Sequence, residues 1–217
     1  MRNHFDRQLD RLHIELTTMG GLCEQAIAVV AKAMLDRDAS LLPQAYVIEH
    51  KIDRSEREIE GMCMNLLLCQ QPVAGDLRTV STAMRVIADM ERIGDQAADI
   101  AEILTYSGGD GMDCASHIGD MARSVIKMVT DSVEAFVRGD LEMAKATILY
   151  DDVVDGLFDK VKSELTAAIA RDPSQGGRCL DFLMIAKYME RIGDHAVNVA
   201  EWVCYALTGL HPKNVSD

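Results

Sequence analysis

Apolar residues recur at intervals of three and four along nearly the whole chain. Leu9, Leu12, Leu16 and Met19 show this spacing near the beginning, and it places apolar side chains on one face of an α-helix. Five internal stretches interrupt the pattern: "LDRDAS" (35–40), "QQPVAGD" (70–76), "SGGDGMD" (107–113), "RGD" (138–140) and "RDPSQGG" (171–177). The sequence therefore predicts an all-α fold of six long helices, each of about thirty residues, packed as bundles.

Three aspartates stand where predicted helices begin: Asp38, Asp76 and Asp140. A carboxylate at that position accepts a hydrogen bond from a backbone N–H of the first helical turn. We therefore predict that each of the three is the N-cap of a helix.

One phrase occurs twice, as "MERIGDQAADIAE" at 90–102 and as "MERIGDHAVNVAE" at 189–201, with nine of thirteen positions identical. The phrases lie 99 residues apart, whereas "AMLDRD" (33–38) and "AFVRGD" (135–140) lie 102 apart. A difference of three residues fits a shorter loop before the last helix, because loops tolerate deletions. The sequence therefore predicts two tandem three-helix bundles related by duplication, at 1–107 and 112–210.

Each repeated phrase carries a stripe of acids. On a helix these side chains fall within about 80° of one another, and like charges so close oppose helix formation. The first stripe comprises Glu91, Asp95, Asp99 and Glu102, and the second comprises Glu190, Asp194, Asn198 and Glu201. A solvated outer face is the ordinary explanation for one such stripe, but the repetition favours a function.

The second helix of each half carries a matching acidic pair, Glu49 with Asp53 and Asp151 with Asp155. If the second and third helices lie side by side, four carboxylates per half converge, and a divalent or trivalent cation would relieve their repulsion. Oxygen ligands favour hard ions such as magnesium, manganese, calcium or iron. His195 and His50 lie beside the acids but point away from them, so they are weaker ligand candidates.

A glycine stands inside each repeated phrase, at Gly94 and Gly193. Glycine within a helix costs about 1 kcal/mol relative to alanine. We therefore expect a close contact at each glycine, either with a neighbouring helix or with groups that surround an ion.

Charge and composition narrow the possible partners. With 22 Lys and Arg against 35 Asp and Glu, the formal net charge is −13, which disfavours nucleic acid and anionic membranes as partners. No signal segment or membrane span is evident, so we expect a cytoplasmic protein without direct membrane insertion. The six cysteines form no C-x-x-C pair and are predicted to be buried, reduced thiols.

The doubled "MERIGD", the "GDLRTV" at 75–80 and the paired acidic helices together resemble the PhoU family over essentially the full chain. The resemblance implies a non-enzymatic regulator that holds the phosphate-starvation response off, associates with a phosphate ABC transporter ATPase and a sensor histidine kinase, and forms a homodimer. It also implies metal clusters of iron, manganese, magnesium or zinc. The ligands carried over by position are Glu49, Asp53, Glu91, Asp95, Asp99, Asp151, Asp155, Glu190, Asp194 and Asn198.

The chain departs from that pattern twice. Asn198 is neutral where Asp99 is acidic, so the second cluster is expected to bind fewer ions or to bind them more weakly. The second half has "GGRCLDF" where the first has "GDLRTV". A partner contact through Arg78 is therefore expected in the first half alone.

Two other functions fit the acids. A di-iron carboxylate enzyme or a metal-storage bundle would also place carboxylates between helices, but such proteins normally carry Glu-x-x-His, which this chain lacks. A metal-free helical adaptor is the remaining alternative. It predicts that a chelator leaves stability and partner binding unchanged.

Overall fold

The computed structural model describes residues 2–70, 74–107 and 115–210, which form helices and connecting turns and contain no strand. Two short 3-10 turns, Ala39–Leu41 and Pro173–Gln175, precede the second and the last helix. The helices are α1 (Arg2–Asp36), α2 (Leu42–Gln70), α3 (Ala74–Tyr106), α4 (Ala115–Arg138), α5 (Leu141–Arg171) and α6 (Gly176–Thr208). The predicted all-α class and the six helices are confirmed. The predicted seam at 107–113 lies almost wholly outside the described residues.

Side-chain caps explain the start of α5 and the start of the 3-10 turn that precedes α2. Asp38 accepts a 3.0 Å hydrogen bond from the Ser40 backbone N–H at the turn before α2, and Asp140 accepts one of 3.0 Å from Met143 at the start of α5. The predicted cap at Asp76 is wrong, because α3 already begins at Ala74 and Asp76 lies within its first turn. There the negative charge of Asp76 still interacts favourably with the positive end of the α3 dipole.

Each half is a three-helix bundle with a buried apolar core. In the first half α1 packs on α2 and α3, and in the second half α4 packs on α5 and α6. Short connections make consecutive helices antiparallel, which brings the beginning of one helix beside the end of the next. The periodic residues Leu12, Leu16 and Met19 are completely buried, as their spacing predicts.

The two bundles join through α1 with α4 and through α3 with α6. On α1 and α4, Thr130 donates a 2.8 Å hydrogen bond to the Glu24 carboxylate. On α3 and α6, the Arg85 guanidinium lies 5.7 Å from the centre of the Trp202 ring. The first and third helices of each half therefore form the middle of the molecule, and α2 and α5 pack on its outside.

Helix α1 is more apolar than the sequence pattern indicated. By length and composition alone, Phe5–Asp36 could cross a membrane, whereas no stretch of that kind was expected. Its side chains at Leu12, Leu16, Met19 and Cys23 are completely buried against the other helices. That burial explains the apolar composition, since a core helix of a bundle satisfies the same criteria.

Candidate metal centre

Three predicted ligands of the first half meet in the groove between α2 and α3. One carboxylate oxygen from each of Asp53, Glu91 and Asp95 can be chosen so that all three lie within 4.8 Å of one another. Asp53 comes from α2, and Glu91 and Asp95 come from successive turns of α3. Oxygens from two helices at this spacing are suited to share one hard cation.

A glycine in the motif sets the spacing of these helices. A Cβ atom built at Gly94 would lie only 3.0 Å from the Cδ1 atom of Ile52, and Ile52 is completely buried. Ile52 precedes Asp53, so the close contact at Gly94 fixes the register that carries Asp53 to the α3 carboxylates. The predicted close approach at Gly94 is therefore a contact between helices.

A second group of ligand atoms adjoins the first. Glu49, His50 and Asp53 also place one ligand atom each within 4.8 Å of the others. His50 Nδ1 lies 2.9 Å from Glu49 Oε2, and the His50 side chain is 78% exposed while that of Glu49 is 17% exposed. Glu49 thus extends the cluster along α2, and His50 reaches it from the solvent side.

The carboxylates of this groove repel one another. Burial raises the pKa of Glu49, and the charge of Asp53 raises it further. Burial and the Asp95 charge likewise raise the pKa of Glu91 and the pKa of Asp99. A carboxylate whose pKa is raised in this way gains from any nearby positive charge.

Arg92 supplies part of that charge from the edge of the groove. Its Nη1 atom donates a 3.1 Å hydrogen bond to Asp95 Oδ2, and its Nε atom lies 3.5 Å from Glu91 Oε2. The Arg92 side chain is 61% exposed, so it approaches the carboxylates from solvent.

The second half brings its acids together around Asp151. The Asp151 Oδ1 atom is buried without a hydrogen-bond partner, and it lies 3.2 Å from a Cβ atom built at Gly193. Burial raises the pKa of Asp151 to about 6, and the charges of Asp155, Asp194 and Glu190 contribute in that order. Gly193 therefore gives room to a carboxylate, where Gly94 gives room to an isoleucine.

A lysine distinguishes this second cluster from the first. Lys187 Nζ forms an ion pair with Glu190 Oε2, and this Oε2 atom is buried. Burial and the Glu190 charge raise the pKa of Asp194, whereas the Lys187 charge opposes the rise. In the described part of the second half, no three acidic, histidine or cysteine ligand atoms lie mutually within 4.8 Å.

Asn198 lies at the contact between the two bundles. Its Nδ2 atom donates a 3.1 Å hydrogen bond to Asp89 Oδ1 on α3. His195 Nδ1 lies 2.9 Å from the same oxygen. Asn198 and His195 thus share one acceptor across the α3–α6 interface, and the role of Asn198 as a metal ligand stays a prediction.

Sequence reasoning missed two acids of the site region. Asp89 precedes the repeated phrase and has Tyr188 at the corresponding position, so only the packing of α3 on α6 shows its role. Glu56 lies seven residues after Glu49 on the same face of α2, and its charge raises the pKa of Glu91. That spacing was a signal that could have revealed Glu56.

The proposed partner contact Arg78 lies at the end of α6. A Cβ atom built at Gly209 would be 2.9 Å from Arg78 Nη1, and Gly209 closes α6 in a left-handed conformation with φ of 78°. A guanidinium there complements the negative end of the α6 dipole. Arg78 therefore has a structural contact, and its partner contact stays a prediction.

Both halves of the chain match the same protein family. A PhoU domain model matches residues 16–104 and again residues 118–203. A phosphate-specific transport system accessory protein PhoU homolog from Clostridium acetobutylicum is 35% identical over 210 residues, which are 96% of each chain. The homolog from Pseudomonas aeruginosa is 32% identical over 213 residues, 97% of this chain and 88% of the relative.

Solved structures agree with the sequence relatives. The crystal structure of PhoU from Pseudomonas aeruginosa superposes with a TM-score of 0.88 at 32% identity, covering 95% of this chain and 100% of that one. PhoU from Streptococcus pneumoniae has a TM-score of 0.86 at 24% identity and covers 95% of this chain and 98% of its own, which shows the shared fold. With two matched domains and full-length relatives, the chain belongs to the PhoU family.

Proposed function

We propose that this chain is a metal-binding, non-enzymatic regulator of phosphate uptake. Full-length relatives are accessory proteins of a phosphate-specific transport system, which supports the phosphate assignment. The observation that supports metal binding best is the group of oxygens from Asp53, Glu91 and Asp95, which lie within 4.8 Å of one another between two helices.

The residues present fit hard cations. In the first half Glu49, Asp53, Glu91 and Asp95 would hold the ion, and in the second half the holders would be Asp151, Asp155, Glu190 and Asp194. The buried, unbonded Oδ1 atom of Asp151 supports this assignment, because a buried carboxylate oxygen requires a partner. Iron, manganese, magnesium and zinc are the candidate ions, since all accept carboxylate oxygens.

A bound cation would neutralise the carboxylates and connect α2 to α3, or α5 to α6. The protein would then expose a less acidic and more rigid outer groove to a partner. Asn198 would bind an ion through its Oδ1 atom, whereas its Nδ2 atom donates a 3.1 Å hydrogen bond to Asp89. We therefore infer that Asn198 also connects the two bundles.

The partners that we propose are the ATPase subunit of a phosphate ABC transporter and a membrane sensor histidine kinase. Acting in the cytoplasm as a homodimer, the protein would associate with both and hold the starvation response off when phosphate is ample. The names of the relatives support association with the transport system. The kinase is proposed from the family resemblance.

Metal content is the direct test of the cluster. Protein purified without chelator should contain ions in at least equimolar amounts, and Asp95→Asn should lose those of the α2–α3 groove. Glu58→Gln is the matched control, because Glu58 lies on α2, is 58% exposed and pairs with Arg54. Absence of metal from the parent protein, or equal losses in both variants, would overturn metal binding.

Partner capture tests the regulatory part separately. Immobilised protein should retain the transporter ATPase and the kinase from purified components, with retention that changes when phosphate is added. Failure to retain either component would leave a metal protein without the proposed adaptor role.

A further inference from the structure

The duplication allows each cluster residue to be compared with its counterpart in the other half. Positions on α2 and α5 correspond at a separation of 102, and positions on α3 and α6 correspond at 99. Glu56 corresponds to Phe158, and Ala88 corresponds to Lys187. The acid Glu56 and the small residue Ala88 of the first half are thus replaced by the aromatic Phe158 and the cationic Lys187 in the second.

The two exchanged residues of the second half contact each other. Lys187 Nζ lies 5.6 Å from the centre of the Phe158 ring, a distance at which the face of the ring attracts a cation. The same Nζ atom forms the ion pair with Glu190. Phe158 and Glu190 therefore hold the ammonium group at the acidic cluster, although the Lys187 side chain is 45% exposed.

The first half has the opposite arrangement. Glu56 lies near enough to Glu91 to raise the pKa of that carboxylate through its negative charge, and Ala88 is too short to bring a positive group to the cluster. Arg92 approaches Glu91 and Asp95 from solvent, with its side chain 61% exposed, whereas the corresponding Arg191 acts on Asp99 of the first half, whose pKa it lowers.

The clusters consequently differ in the number of acids around them. In the first, Glu49, Asp53, Glu91 and Asp95 offer ligand oxygens at metal spacing, and the charges of Glu56 and Asp99 lie close enough to interact with them. The second comprises four, at Asp151, Asp155, Glu190 and Asp194, together with the ammonium group of Lys187. Affinity for a hard cation rises with the number of charged ligands around it.

We propose that Lys187 is a tethered cation that competes with metal at the α5–α6 cluster, so that the α2–α3 cluster fills first and the α5–α6 cluster fills only at higher metal concentration. This inference rests on the proposed metal binding and assigns an order to the two clusters. Lys187 offsets part of the negative charge of the second cluster until a free ion displaces its ammonium group.

Calorimetric titration of the metal-free, full-length protein with Mn²⁺ tests the order. The parent protein should show two classes of site whose dissociation constants differ by about tenfold or more. Asp95→Asn should remove the tighter class and Asp194→Asn the weaker one. In Lys187→Met, which keeps the length of the side chain, the weaker class should tighten by about tenfold.

Lys160→Met is the control, because nine residues separate Lys160 from Asp151 on α5 and place it on the opposite face, at about 180°. It should leave both classes unchanged. The converse variant Ala88→Lys should weaken the tighter class, so the order can be tested even if Lys187→Met does not fold. Circular dichroism without metal checks folding.

The outcomes separate the two proposals. If the parent protein binds no Mn²⁺, both metal binding and its order are overturned. If Mn²⁺ binds but the two classes are equal, or if the folded Lys187→Met and Ala88→Lys proteins both match the parent, only the role of Lys187 is overturned.

Discussion

The outer grooves of the two bundles use the same motif glycine for different purposes. At Gly94 the neighbour is the Cδ1 atom of Ile52, 3.0 Å from a built Cβ atom, whereas at Gly193 it is the Oδ1 atom of Asp151, at 3.2 Å. The first glycine brings two helices together and leaves the carboxylates beside the contact. The second gives room to a carboxylate itself. The same motif position thus meets an apolar side chain in one half and a carboxylate in the other.

Gly94→Val should have the largest effect on stability of the variants that test this difference. The added branches would meet buried Ile52, and overpacking of this kind costs about 2–3 kcal/mol. The free energy of unfolding in urea, measured on metal-free protein, should fall by that amount. Gly61→Ala is the control, because nothing lies within 4 Å of a Cβ atom there, so stability should rise by up to about 1 kcal/mol. A Gly94→Val protein as stable as the parent would contradict the packing role.

Asp89→Ala tests the contact between the bundles. The change removes the charged acceptor that His195 and Asn198 share, and the loss of hydrogen bonds to a charged group costs about 1–3 kcal/mol. Asp152→Ala alters an exposed acid on α5 and should change stability by less than about 0.5 kcal/mol. Equal melting temperatures for the two variants would show that the α3–α6 cluster contributes nothing.

Asp151→Asn should change how stability depends on pH. The pKa of Asp151 in the folded protein is raised to about 6 from 3.8, so the folded state binds more protons than the unfolded state between these values. Metal-free stability therefore falls as pH rises from about 4 to 6. The variant should lose this fall, and its gain over the parent at pH 7 should be about 1 kcal/mol after allowance for solvent screening.

Unfolding of the parent protein and Asp151→Asn at pH 4.5 and pH 7, with chelator present, gives this measurement. Asp159→Asn is the comparison, since the Asp159 side chain is 70% exposed and its charge is not among those that raise the pKa of Asp151, so it should show a smaller change. A gain that is the same at both pH values would contradict a raised pKa at Asp151.

Asp140→Ala and Asp76→Ala compare a true cap with a first-turn acid. Asp140 accepts a backbone hydrogen bond at the start of α5, and its loss should cost about 1 kcal/mol. Asp76 lies within the first turn of α3, where its loss should cost about 0.3 kcal/mol. Thermal unfolding distinguishes the two, and equal costs would contradict the assignment of the caps.

Helical periodicity was sufficient to predict the six helices, because each helix depends mainly on residues near it in the chain. The repeat was sufficient to predict that Asp53 would meet Glu91 and Asp95, since a short loop makes α2 and α3 antiparallel neighbours. Glu56 was not predicted as part of the groove, although its position seven residues after Glu49 places it on the same face of α2.

Contacts between the halves could not be predicted in this way. Asp89 meets His195 and Asn198 only because α3 packs against α6, a choice of partner that no local pattern specifies. Arg78 illustrates the same limit, because its contact with Gly209 joins residues more than a hundred positions apart. The ion pair of Lys187 with Glu190 lies within one helix, yet its importance emerges only beside Phe158 of α5.

The central claim is that acids from two neighbouring helices hold a cation in each bundle. Anomalous diffraction from crystals grown with Mn²⁺ tests it most directly. We predict a strong peak between Asp53, Glu91 and Asp95 and a second peak beside Asp151 at higher Mn²⁺ concentration. Crystals that contain Mn²⁺ but show no peak between α2 and α3 would contradict the account.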